Sequence, residues 1–166
     1  IKLTKAPDMT KTNALSSINA IFKGCTSLVD APVIPDSVLD MSEAFLGDSN
    51  IYTASAFPES VEDISSAYAD CISLEKAASI PASVINCDSC YSGCSNLYGE
   101  LSINTNTEDC ANLLSNAVTS GKTLKLKGKS GRLFEIQQDS GSRYVTIKDT
   151  EKAEKNAKKL ERQNNQ

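Results

Sequence analysis

The sequence predicts an α/β solenoid built from 23-residue units, and three observations carry that expectation. Columns of one chemical type recur every 23 residues from Ile18 to about Leu126. A proline follows the same apolar column in three successive units. The chain after Gly128 leaves the pattern altogether.

The register is visible column by column. Ile18, Met41, Ile64, Cys87 and Cys110 open successive units, and four residues later come Phe22, Phe45, Tyr68, Tyr91 and Leu114. Three further on stand Cys25, Asp48, Cys71, Cys94 and Ala117. Leu28, Ile51, Leu74 and Leu97 follow, then Ile34, Phe57, Ile80, Ile103 and Leu126. Pro35, Pro58 and Pro81 close the first three of these, and Ser37-Val38, Ser60-Val61 and Ser83-Val84 recur in step.

Within one unit, Met41, Ala44 and Phe45 are spaced i, i+3, i+4, which predicts a single helical turn with one buried side. Ile51 to Phe57 alternates and predicts a short strand, stopped by Pro58, whose nitrogen cannot donate to a ladder. Each unit is therefore expected to be a parallel strand, a proline corner and a short helical return. A lone unit buries too little to hold itself, so units must stack.

At the N-terminus, Leu3 to Met9 matches Leu28 to Ile34 at a shift of 25 residues, a partial first repeat. The chain is expected to be part of a longer protein with its targeting information upstream. At the other end Ser120, Lys127 and Ala117 replace the column leucine, proline and cysteine, so the fifth unit decays. Arg132 to Gln138 and Arg143 to Lys148, around Asp139-Ser-Gly-Ser142, predict a β-hairpin capping the open end. From Asp149 on, the composition turns to Lys, Glu, Asn and Gln, with Ala153, Ala157 and Leu160 as a thin apolar stripe. Asp149 or Thr150 can cap a helix there, with Glu151 and Glu154 in its first turn. The expected domains are 1–127 solenoid, 128–149 hairpin cap and 150–166 charged helix or linker.

The columns Phe22-x-x-Cys25-x-x-Leu28, Tyr68-x-x-Cys71-x-x-Leu74 and Tyr91-x-x-Cys94-x-x-Leu97, with Ile34-Pro35-x-Ser37-Val38 and Ile80-Pro81-x-Ser83-Val84, resemble the BspA-like leucine-rich repeat family. The resemblance runs from about Leu3 to Leu126. It implies a leucine-rich-repeat solenoid and a bacterial cell-surface or secreted adhesion protein, with similar arrays in protist surface proteins and phage particles. It supplies no catalytic residues. Asp48 in the cysteine column and the loss of Pro-x-Ser-Val at Asn104 to Thr107 depart from the pattern.

Composition narrows the function classes. There is no histidine, which removes the commonest general base and metal ligand. The net charge of −4 argues against a nucleic-acid partner. No apolar run reaches the roughly 18 residues of a membrane span. The six cysteines are read as buried structural thiols, since Cys25, Cys71 and Cys94 share a column while Cys87, Cys90 and Cys110 replace apolar residues. A zinc site and disulfides are the alternatives, the first disfavoured by the lack of histidine and irregular spacing and the second by parallel Cβ directions. No cofactor, metal site or catalytic residue is expected, and the chain is read as not an enzyme.

The working surface is then the exposed parity of the strands. Tyr52 and Glu75 share one column with Tyr98, and Ala54 and Ala77 another with Glu100, giving a flat face with two aromatic anchors. The same tyrosines can equally shield a sheet edge. Two functions follow. One is a non-catalytic module binding protein or glycan on a host surface, displayed on a cell or secreted. The other is a spacer or assembly element of a larger particle such as a phage appendage, contacting neighbouring subunits and located on the virion.

Overall fold

The computed structural model describes residues 2–166; Ile1, where the first expected domain begins, lies outside them. The chain does not form the expected solenoid of strand-and-helix units. Among the described residues, the regular structure is that of a small mixed α/β domain, with two helices and one three-stranded parallel sheet, all from Gly99 onward. In chain order the elements are β1 (Gly99–Ser102), β2 (Leu124–Lys127), α1 (Leu133–Ser140), β3 (Val145–Ile147) and α2 (Thr150–Asn164). The sheet order is β1-β2-β3, with Leu101 opposite Leu126 and Leu124 opposite Val145.

Two physical reasons account for the missing unit elements. The expected helical turn fails at its third residue. Ala20, Glu43, Ser66, Ser89 and Asn112 all have φ between 53° and 58°, the left-handed region that no right-handed helix visits. Gly24, Gly47, Asp70, Gly93 and Asn116 follow four residues later, again at positive φ. The segment is instead a run of tight turns, such as Ala44 N–H to the Met41 carbonyl at 3.1 Å and Asp48 N–H to the Phe45 carbonyl at 3.0 Å.

The expected strands fail for want of donors. Before Gly99 they are reduced to isolated parallel bridges, Thr53 to Lys76 among them. Pro32, Pro35, Pro58 and Pro81 each lack an N–H where a ladder would need one. Where Asn104 and Lys127 stand in the proline column, the ladder lengthens into β1 and β2, and Ile103 N–H reaches the Lys127 carbonyl at 2.9 Å.

What the 23-residue period does specify is a hydrogen-bond register. Bridges join Ser17, Asp40, Asp63 and Asn86 in succession. Alternate N–H groups of each turn run donate to carbonyls 22 residues on, as in Phe22 to Ala44 at 2.9 Å and Phe45 to Ala67 at 2.8 Å. The apolar columns are buried in line along this register. Phe22, Phe45, Tyr68 and Tyr91 lie face to face with ring centroids 5.3, 5.0 and 5.8 Å apart.

The predicted hairpin is also corrected. Leu133 and Ile136 are buried at helical spacing, Gly141 at φ 66° closes α1, and its N–H bonds the Gln138 carbonyl at 3.1 Å. The turn-like Asp139-Ser-Gly-Ser142 is thus a helix C-cap. Parallel β2 and β3 need a crossover, which α1 provides. α2 is capped by Asp149, whose carboxylate accepts from the Lys152 N–H, and buries Ala153 and Leu160. It packs close over Gly131, where a Cβ would stand 2.8 Å from the Asn156 carbonyl and the Leu160 side chain.

Candidate binding surfaces

The residues expected to form one exposed face differ in what their side chains touch. Tyr52 is 53% exposed and, with Val29 at 45%, lines a shallow depression of about 200 Å³ that also takes in Ala31 and Ala54. Ala54 and Ala77 are half-buried, packing partly against the core, so each presents less to solvent than Tyr52 does. Thr53 and Lys76 beside them are exposed.

Tyr98 shares the hydrogen-bond register with Tyr52 through Glu75, whose N–H donates to the Tyr52 carbonyl at 2.8 Å and whose carbonyl accepts from the Tyr98 N–H at 3.1 Å, but its side chain has other surroundings. It is half-buried, its hydroxyl is 3.4 Å from Glu75 Oε2, and the Lys122 ammonium sits 4.4 Å from its ring centroid. Its ring is therefore occupied by a cation within the chain. Glu100, on β1, joins neither tyrosine. Its two oxygens hold Lys127 at 2.7 Å and Lys148 at 2.5 Å, and hydrogen bonds from these ammoniums lower its pKa to about 2.

Of the six cysteines, Cys87 and Cys110 form a disulfide, which corrects their reading as thiols. The register brings their Cα atoms to 4.9 Å, within bonding range for residues 23 apart. Cys25, Cys71, Cys90 and Cys94 are free and buried. Burial pushes the Cys71 thiol up to about 12 and likewise raises those of Cys25, Cys90 and Cys94, which disfavours the thiolate form. Cys71 and Cys94 donate to the carbonyls of Phe45 and Tyr68 at 3.1 and 3.0 Å.

Asp48 occupies the same column with different chemistry. It is fully buried and neither oxygen has a hydrogen-bond partner, because the nearby Cys25 N–H is directed at the Phe22 carbonyl 3.0 Å away. Burial raises its carboxyl to about 7, with the Cys25 backbone pulling weakly the other way.

The sequence reading missed the lysines around Glu100. Twelve of the seventeen Lys and Arg, but only six of the twenty-one Asp and Glu, lie at or after Gly121. That end carries +6 and the preceding 120 residues −10, a division that the overall −4 conceals. Among the described residues, no helix is long and apolar enough to cross a membrane, and no group of three or more Cys, Asp and Glu side chains converges as a metal site. No protein-family model, curated protein or solved structure matches the chain.

Proposed function

We propose that the chain is a non-catalytic protein-binding module, displayed on a cell surface or secreted, whose anchor is Tyr52. The observation that carries this reading is the depression in which exposed Tyr52 and Val29 stand over half-buried Ala31 and Ala54. A large amphipathic ring at the rim of a shallow hollow of mixed polarity, which Asp30, Thr53 and Ser55 also line, supplies binding area at little entropic cost. The backbone beneath it is fixed by the Thr53 to Lys76 bridge and by the Ala54 N–H bond to the Lys76 carbonyl at 3.0 Å. The Cys87 to Cys110 disulfide supports an oxidising location.

The second reading, an assembly element held by its C-terminal part, is favoured by the charge division between the two ends of the sequence. The test is saturable binding of the purified chain to host cells and extracellular-matrix proteins, with Tyr52→Ala alongside. Loss of at least about 2 kcal/mol of binding in a folded variant supports the anchor. Unchanged affinity rejects it and leaves the assembly reading.

A further inference from the structure

A second surface, remote in sequence from Tyr52, carries a different chemistry. A cleft of about 380 Å³ opens between the ends of β2 and β3 and the first turn of α2. Lys127, Lys129, Lys148 and Lys152 line it, with Asp149 as its one acidic residue. The Asp149 carboxylate is engaged as the cap of α2, accepting from the Lys152 N–H at 3.0 Å. Glu100 clamps Lys127 and Lys148, fixing where their ammoniums stand. Lys129 and Lys152 make no ion pair among the described residues and leave the cleft an uncompensated positive charge.

The cleft continues. A neighbouring hollow of about 230 Å³ shares Asn104 and Lys129 with it and adds Asn106, Asn156, Lys159 and Gln163. The combined groove sets ammonium groups beside side-chain amides and is longer than a single inorganic anion requires; Asn104 and Asn106 accept from the Lys129 and Gly131 N–H groups and Asn156 donates to the Gly128 carbonyl, which fixes their amides and leaves each with a free donor or acceptor. Amides bond hydroxyl groups, and lysines bond sulfate or carboxylate. No aromatic side chain lines either hollow, so the stacking platform that single-stranded nucleic acid needs is missing there.

We infer that this groove binds an acidic polysaccharide, a chain of sugars bearing sulfate or carboxylate, with Lys129 and Lys152 as its principal charge contacts and Glu100 as a positioning residue. This inference goes beyond the Tyr52 reading and does not depend on it.

The test is titration of the whole chain with heparin at about 0.15 M salt, beside the double variant Lys129→Gln/Lys152→Gln. A second double variant, Lys155→Gln/Lys158→Gln, makes the same charge change on α2 outside the groove. Saturable binding is expected, weakened about tenfold or more in the groove variant and within about twofold in the other. Desulfated heparin distinguishes the two anions: retained affinity assigns carboxylate and lost affinity assigns sulfate. Equal weakening in both variants, no saturable binding, or tighter binding of a single-stranded oligonucleotide overturns the inference.

Discussion

Tyr68 and Tyr91 show how single atoms are matched across the interior. The Tyr91 hydroxyl donates to the Ala78 carbonyl and accepts from the Ala78 N–H, both at 2.8 Å, and Tyr68 accepts from the Ser55 N–H at 2.9 Å. The corresponding residue 13 before Phe45 is Pro32, which has no N–H to satisfy, and here the ring carries no hydroxyl. Tyr91→Phe leaves two buried backbone groups unpaired and should cost about 1 to 3 kcal/mol in urea unfolding, whereas Phe45→Tyr should give no gain. Asp48 breaks the same economy. Its folded pKa, about 7, lies above the ordinary 3.8, so between these values the unfolded chain holds fewer protons than the folded one. Its contribution to stability should therefore be greatest below about pH 4, fall as pH rises towards 7, and flatten above that. Denaturation curves across this window should lose that slope in Asp48→Asn. Asp48→Cys, which restores the column's thiol, should gain about 1 to 3 kcal/mol at pH 8.

At the scale of elements, the left-handed positions decide what the turns tolerate. Gly93 sits at φ 75°, and a Cβ there would collide with the Asp70 carboxylate. Gly93→Ala should lower the melting temperature, while Asp70→Gly, relieving a residue held at φ 58°, should raise stability by about 0.5 to 1 kcal/mol. Legibility in the sequence follows the same line. The spacing of Phe22, Phe45, Tyr68 and Tyr91 identified which residues face inward, because burial depends on side-chain type. The same spacing at Met41, Ala44 and Phe45 suggested a helix, because i, i+3, i+4 also fits consecutive tight turns, and nothing in Glu43 or Ser66 advertises a positive φ. Leu133 and Ile136 were equally ambiguous: the seven residues of mixed polarity from Arg132 to Gln138 fit a strand or a helix until the parallel pairing of β3 with β2 demands a crossover. At the surfaces, Tyr52 was readable as an exposed ring, but the engagement of Tyr98 and Glu100 was not, since spacing along the chain does not show the cations that reach them. The lysine groove was missed because its members come from four different segments.

At the scale of the whole molecule, one covalent bond spans the hydrogen-bond register. Cys87 and Cys110 close a loop of 23 residues, and Cys87→Ser with Cys110→Ser should cost about 3 kcal/mol in the chain-entropy picture. Reductant should lower the melting temperature of the wild-type chain and leave that of the double variant unchanged. The disulfide also bears on how the chain would respond to being pulled. A protein tethered at one end and holding a partner at the other is loaded along its backbone, and its turns would unravel in sequence. The Cys87 to Cys110 bond withholds the enclosed segment from that extension, roughly 80 Å of contour at about 3.5 Å per residue. Force applied through the ends would therefore meet a fixed stop, released only when the bond is reduced.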